Sequence, residues 1–280
     1  MPEGDTILLA ARTLGRAIAG QRVVRFESVY AQITRVAEDQ RVIGRMVESV
    51  TARGKHLLIA FSPLDAAGGD GLVLRTHMRM NGSWHVYPAG ARWRRPRRDM
   101  RVLVATDRVV AVAFNVPVAE LLFARDLARH DELRALGPDL LSDTFDRADA
   151  IRRMREHPQD PIADLLLDQR VLAGIGNVFK SEILFLTRIY PFTLTSHVSD
   201  AQLDELVTIA RKVMAVSVRI GQRTTRSSLN PRERLWVYGR AGKPCWRCRT
   251  PIRAKKTGPD ARITYWCPRC QAEPGATDRR

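Results

Sequence analysis

Val171-Leu172-Ala173-Gly174-Ile175-Gly176-Asn177 lies between two apolar stretches with helical spacing, Ile162–Gln169 before it and a run through Phe185 after it. Two short helices joined by a glycine-punctuated turn divide the chain, with helical texture on this side and β texture ahead of it. Such a turn can present backbone N–H groups to a phosphate, with Asn177 capping the second helix and touching the same phosphate. The same glycines would also serve close packing in a plain αα-hairpin, so both uses stay open. Asp160-Pro161 reads as an N-cap followed by proline at the first helical position. Ser199-x-x-Gln202 has the form of a capping box, and Leu203, Leu206, Val207, Ala210 and Val213 give the helix behind it an apolar face. Gly137-Pro138 and the polar stretch 142–146 mark a hinge before all of this.

Ahead of the hinge the texture changes. From about Val23 to Phe114, short apolar runs (Val23–Phe26, Leu57–Phe61, Leu72–Leu74, Val102–Ala105, Val109–Phe114) alternate with polar or glycine-rich turns. Asp107-Arg108 reads as a tight hairpin between the last two. Ile7, Ala11, Leu14 and Ile18 form one helical stripe in front of them, stopped at Gly20. Many short strands behind one helix predict a β-sandwich. The fold class is therefore α+β.

The chain of 280 residues is long enough for two domains, and its 45% apolar content is ordinary. Its formal charge of +16 is not, and nearly all the surplus is arginine, since only six of the 46 basic residues are lysine. Planar guanidinium forks suit phosphate oxygens, so the partner expected is a polyanion. Arg92–Arg101 alone carries six arginines with Trp93 and Pro96, an exposed basic loop. No apolar run approaches a transmembrane span and no signal peptide opens the chain, which points away from membranes and secretion and toward the cytoplasm.

The chain opens Met1-Pro2-Glu3-Gly4-Asp5. Once Met1 is removed, Pro2 presents a secondary amine that can attack a sugar carbon and form a positively charged iminium. Glu3 beside it can move the proton that opens the sugar ring. Taken alone, Glu3 and Asp5 are also plain acids favouring a helix start. Lys55 sits at the entry to an apolar strand in Gly54-Lys55-His56. His77-Met78-Arg79-Met80-Asn81-Gly82 joins two strands and offers Met80 as an apolar wedge for a base stack. Cys245-x-x-Cys248 and Cys267-x-x-Cys270, eighteen residues apart, have the spacing of a four-cysteine zinc ribbon; four thiolates leave no open position, so the metal is structural. Thr250–Lys255 and Arg262–Trp266 pair as a hairpin around Thr257-Gly258-Pro259-Asp260, which would project Arg262.

Together these motifs resemble the formamidopyrimidine-DNA glycosylase/endonuclease VIII family of base-excision repair enzymes. The resemblance spans essentially the whole chain and rests on Pro2-Glu3-Gly4, Gly54-Lys55-His56, Asp168-Gln169…Ala173-Gly174-Ile175-Gly176-Asn177, Val237-Tyr238-Gly239-Arg240 and Arg262-x-Thr264. It implies a catalytic β-sandwich with a leading helix over 1–137, a hinge over 138–150, a helix–two-turn–helix domain over 151–234 and a zinc finger over 235–280, with DNA in the cleft between domains. It implies Pro2 as the Schiff-base nucleophile, Glu3 as proton donor, Lys55 as phosphate contact and aid to β-elimination, and Arg262 as phosphate clamp linked to δ-elimination. Asn177, His77 and Tyr238 follow as further phosphate contacts and Met80 as the residue filling the vacated stack. One structural zinc, no redox cofactor, a monomer and damaged double-stranded DNA complete the expectation.

The sequence departs from the purine-repairing branch at Ala113-Phe114-Asn115-Val116-Pro117-Val118, which lacks that branch's arginine and wedge aromatic. The link from Gly221 to Trp236 is also short. Both features resemble the endonuclease VIII side, which acts on oxidised pyrimidines and abasic sites. Oxidised-purine excision and non-catalytic DNA binding through the zinc ribbon are the competing readings.

Overall fold

Ile7, Ala11, Leu14 and Ile18 are each at most 1% exposed, and they decide how the first unit, Met1–Ala135, is built. They lie on one side of helix α1 (Gly4–Ile18), which ends at Ala19 before Gly20 takes φ 73°. The computed structural model describes residues 2–64, 70–228, 230–258 and 261–275. Behind α1 follow β1 (Arg25–Ser28), α2 (Ala31–Asp39), β2 (Val47–Arg53), β3 (His56–Phe61), β4 (Leu72–His77), β5 (Ser83–Pro88), β6 (Met100–Ala105), β7 (Val109–Phe114), β8 (Val118–Phe123) and the single turn α3 (Asp131–Arg134). Two antiparallel sheets result, in the orders β1-β6-β7-β5 and β2-β3-β4-β8. The stripe of α1 shares one core with Val102, Val104, Ala111 and Ala113 of the first sheet and Leu57, Ile59, Phe61, Leu72 and Leu74 of the second. Each valine, leucine, isoleucine or phenylalanine among them contributes about 1.5–3 kcal/mol when removed from water, and the alanines less, so the helix is tied to the sandwich along its length.

Three strands and a helix are not legible as such in the sequence. β2 and β5 carry no continuous apolar run, because their outward positions are polar or half-exposed, and in β8 Glu120 splits Val118-Ala119 from Leu121–Phe123. Helix α2 buries only Ile33, too little to show a period. Asp107-Arg108 does close the β6–β7 hairpin, with the Thr106 N–H donating to the Val109 carbonyl at 2.9 Å. The outer face of the first sheet is covered by Tyr87, Met100, Leu103, Val112 and Phe114, onto which Trp93 of the arginine-rich loop packs at 5.6 Å from the Phe114 ring. The loop is thus pinned by its tryptophan while Arg92, Arg94, Arg97 and Arg98 stay exposed.

The second unit, Leu136–Arg280, is helical and ends in a two-stranded ribbon. It comprises α4 (Arg147–Arg155), α5 (Ile162–Leu165), α6 (Asn177–Leu186), α7 (Asp200–Ile220), β9 (Arg253–Thr257) and β10 (Arg262–Trp266). Ser199 and Gln202 form the expected capping box of α7, the Gln202 N–H donating to Ser199 Oγ at 3.2 Å and the Ser199 N–H to Gln202 Oε1 at 2.9 Å.

Two cap expectations need correction. Pro161, not Asp160, is the N-cap of α5, and that helix has only four residues. Its first N–H groups donate to the Thr193 and Pro191 carbonyls at 2.9 and 3.0 Å, so no side-chain cap is required and Asp160 turns to His157 at 3.1 Å. Asn177 does not cap α6 either: Gly176 is the N-cap and Asn177 is the first helical residue. Residues 177–185 are all buried, so α6 is the axis of the second unit. β9 and β10 form the expected hairpin, pairing from Arg253↔Trp266 to Thr257↔Arg262, but the first strand is Arg253–Thr257 rather than Thr250–Lys255, so Thr257 belongs to the ladder and not to the turn; Pro259 and Asp260 lie outside the described residues.

Candidate functional site

Pro2 is half-buried directly ahead of α1, and Met1 lies outside the described residues. Glu3 is 0% exposed and Asp5 1% exposed. Acids that only favoured a helix start would be solvated; these two are buried, and a carboxylate taken out of water demands compensation. Asp5 accepts from the Thr6 backbone N–H at 2.7 Å, while the Glu3 carbonyl begins the helix by accepting from Ile7 at 3.0 Å.

Lys55 occupies the second position of a two-residue hairpin turn, since Arg53 pairs with His56. Gly54 takes φ 57°, which a side chain would resist, and that turn fixes where the Lys55 stem departs. His56 in turn pairs with His77 across β3 and β4, their rings edge-to-face at 4.9 Å. Burial, Arg79 and Lys55 lower the His77 pKa to about 4, and burial with His77 and Arg75 lowers that of His56 to about 3, so both rings are neutral at neutral pH. His77 Nδ1 accepts from the Arg79 N–H at 3.1 Å, so the ring hydrogen resides on Nε2, where it can donate to an anion's oxygen. Beneath this pair Arg75, fully buried, is ion-paired with Glu120 at 2.8 Å and with Glu132, and Glu120 also meets His130 Nε2 at 2.9 Å. Met80 follows in the β4–β5 turn and is 52% exposed, unusual for its type.

In the second unit, α6 and β10 are joined rung by rung. Asn177 Nδ2 donates to the Ile263 carbonyl at 2.9 Å, Lys180 Nζ to Thr264 Oγ1 at 2.7 Å, and the Tyr265 N–H to Ser181 Oγ at 3.3 Å. Asn177 thereby touches the residue next to Arg262, which stands half-buried at the start of β10. The Asn177 Oδ1 is buried without a partner. Tyr238 packs on Tyr265 with ring centroids 5.0 Å apart. Its backbone is held by Glu182, whose buried carboxylate accepts the N–H groups of Trp236, Val237 and Tyr238 at 2.7, 2.8 and 2.8 Å and the Thr225 hydroxyl. Burial pushes the Glu182 carboxyl above its usual range, an effect these four donors offset only in part. Lys180 and Glu182 escape a reading of the sequence because α6 is otherwise apolar; the polar i, i+3, i+4 set Asn177, Lys180 and Ser181 is the available signal.

Cys245, Cys248, Cys267 and Cys270 place their sulfurs within 4.8 Å of one another. Individual Sγ–Sγ separations of 3.4, 3.5 and 3.9 Å are too long for disulfides. They match the edges of a tetrahedron, which are about 3.8 Å for metal–sulfur bonds of about 2.3 Å. The Arg247 and Cys270 N–H groups donate to Cys245 and Cys267 sulfurs at 3.4 Å each, as thiolate knuckles do. The cluster suits a metal ion held closed. Among the described residues, no helix is long and apolar enough to cross a membrane.

A helix-led β-sandwich followed by a helical unit with a four-thiolate ribbon defines a class of DNA-repair fold. Residues 1–117 match the formamidopyrimidine-DNA glycosylase N-terminal domain, and residues 136–228 match the formamidopyrimidine-DNA glycosylase H2TH domain. The chain is 38% identical over 278 residues to "Probable endonuclease 8 2" of Streptomyces coelicolor, covering 98% of this chain and 95% of that protein. It is 37% identical over 274 residues to "Endonuclease 8 2" of Mycobacterium bovis, covering 97% and 100%. Its fold is similar to that of Lactococcus lactis Fpg in complex with DNA containing N7-benzyl-Fapy-dG, with TM-score 0.81 and 23% identity over 97% of this chain and 100% of that one. The chain belongs to the formamidopyrimidine-DNA glycosylase/endonuclease VIII family.

Proposed function

We propose that this base-excision repair enzyme, a DNA glycosylase and abasic-site lyase, acts on oxidised pyrimidines and abasic sites through its N-terminal proline. The observation that carries the reading is the sealed Glu3 carboxyl beside Pro2, at the head of a helix buried along its length. With Met1 removed, the Pro2 nitrogen attacks C1′; the C1′–base bond breaks and the base leaves with a proton. Glu3 delivers a proton to the ring oxygen, the sugar opens, and the nitrogen lone pair forms the iminium. Loss of a C2′ proton then expels the 3′ phosphate, and a second elimination expels the 5′ phosphate.

Lys55 and the Nε2–H of His77 serve phosphates on the first unit. Asn177, Tyr238 and Arg262 serve phosphates on the second, with Arg262 presented by a strand that α6 holds in place. Met80 fills the gap left by the flipped nucleotide. A zinc ion on Cys245, Cys248, Cys267 and Cys270 stiffens the ribbon and takes no part in the chemistry. The endonuclease VIII assignment is supported by the relatives so named and by the Ala113–Val118 segment, which lacks the arginine and aromatic of the purine-repairing branch. The enzyme works as a cytoplasmic monomer.

Borohydride reduction on an abasic-site duplex tests the nucleophile. Met1-free wild type is expected to be trapped covalently, and Pro2→Gly to be trapped at least tenfold less. Binding without trapping would leave only a DNA-binding protein. Incision of thymine-glycol duplexes faster than 8-oxoguanine duplexes is expected, and the reverse order would reassign the enzyme to oxidised purines.

A further inference from the structure

The arginine-rich loop between β5 and β6 encloses a cleft of about 650 Å³ lined by Arg25, Arg92, Trp93, Arg94, Arg95 and Arg97, among others. The sheet register places it away from the Met80 turn. β5 starts at Ser83, just past that turn, and its six residues carry the chain about 17 Å to Pro88. At that far end Pro88 lies opposite Val109, and Ala105 lies opposite both Arg25 and Val110. The loop departs there, with the Ala89 N–H donating to the Arg108 carbonyl at 2.9 Å and Gly90 turning the chain at φ 78°. It is then anchored along its course. The Trp93 ring lies 5.6 Å from that of Phe114 and 6.4 Å from that of Tyr87, and the Arg94 N–H donates to the Tyr87 hydroxyl at 3.3 Å. The Arg97 guanidinium sits over Trp93 at 5.6 Å, and the Asp99 carbonyl accepts from the Asn115 N–H at 2.8 Å. These anchors hold five guanidinium groups together against their mutual repulsion. Among the described residues, Glu27 is the one carboxylate within ion-pair distance of them, 3.4 Å from Arg25 and 3.2 Å from Arg97. Arg92, Arg94 and Arg95 have no such partner there, so the cleft keeps a surplus of positive charge. A cleft lined by one sign of charge focuses its field on ions of the other sign.

Guanidinium forks match phosphate oxygens. Arginines set around an aromatic ring are also the makeup of grooves that hold single strands without reading their sequence, the charges following the backbone and the planar groups taking bases. A duplex keeps its bases stacked inside and would use only the phosphate-binding half of this surface. We propose that the cleft binds a single nucleic-acid strand, at a site separate from the one that processes the lesion. Arg92, Arg94 and Arg95 take successive phosphates, and half-exposed Trp93 with Arg97 over it offers a stacking surface to a base. The inference goes beyond the glycosylase–lyase reading, because Pro2, Lys55, His77 and Met80 have no part in it. It gives the protein a second hold on nucleic acid at the far end of the first sheet.

The test uses Met1-free full-length protein trapped by borohydride on an abasic-site duplex, so that the lesion site is already filled. A short fluorescein-labelled oligothymidylate is titrated into this complex and its anisotropy is read at several salt concentrations. Wild type is expected to bind it. Arg92→Ala combined with Arg94→Ala is expected to weaken binding about tenfold and to flatten the salt slope by about 1.4, or about 0.7 for each lost phosphate contact. Arg12→Ala combined with Arg16→Ala removes the same charge from the exposed side of α1 and is expected to bind as wild type does. Both pairs should keep wild-type unfolding midpoints and abasic-site incision rates. A trapped complex that leaves the strand unbound, or a control pair that loses as much as the loop pair, would overturn the proposal. Undamaged duplex that displaces the strand at equal concentration would overturn its assignment to a single strand. If no covalent complex forms, the glycosylase–lyase reading falls instead, and the same titration of free protein and the same variants decides the cleft.

Discussion

Glu182→Gln is the substitution that asks most of the second unit. The glutamate is fully buried, with Oε1 accepting from Val237 and Tyr238 and Oε2 from Trp236 and the Thr225 hydroxyl. Glutamine has the same shape, but its NH2 group replaces one oxygen and faces two donors instead of accepting from them. Hydrogen bonds to a charged acceptor contribute about 1.5–3 kcal/mol each, so losing two costs about 3–6 kcal/mol. Relief from burying a charge offsets part of this, leaving an expected loss of about 2–4 kcal/mol. Urea denaturation followed by tryptophan fluorescence measures it, since Trp236 is one of the residues Glu182 holds. Thr225→Val, which removes one donor, should cost about 1–2 kcal/mol on the same scale. The segment carrying Tyr238 loosens as well, so duplex binding should weaken at temperatures where the protein is still folded. A Glu182→Gln midpoint within about 0.5 kcal/mol of wild type would refute the idea that this carboxylate organises the 236–238 segment.

Three further outcomes follow from the geometry. The folded pKa values of His56 and His77, about 3 and about 4, lie below the unfolded value of 6.5, so their contribution is fully present above pH 6.5 and is lost as pH falls toward 4; denaturation midpoints should drop between pH 6.5 and 4.5, and His56→Phe should flatten that slope or the pair is not the cause. Chelating the metal should release one equivalent of zinc and lower duplex affinity with a shallower salt dependence, because the ribbon presents Arg262; an unchanged slope would mean that Arg262 contacts no phosphate. Thr264→Val removes a buried partner of Lys180 and should cost about 1–3 kcal/mol, while reducing duplex binding through the neighbouring Arg262 strand; stability lost without any change in binding would separate the two roles.

Much of this protein can be read from the order of its residues. The stripe of α1, the capping box at Ser199, the Asp107-Arg108 hairpin and the cysteine spacing are local signals, each set by residues a few positions apart. The strands β2 and β5 are obscured because their outward positions are polar or partly wet, β8 because Glu120 interrupts its apolar run, and the cap of α5 is misread because distant carbonyls satisfy its N–H groups. What sequence determined alone was the family of motifs and the chemistry of their side chains. What only the tertiary structure decided was which polar groups are sealed and which are presented: Glu3 out of water, Glu182 beneath three backbone amides, and Asn177 joined to the Ile263 carbonyl next to Arg262. Those outcomes depend on residues far apart in the chain meeting in a low-dielectric interior or at one sheet edge, where burial multiplies the worth of every hydrogen bond and no local pattern records it.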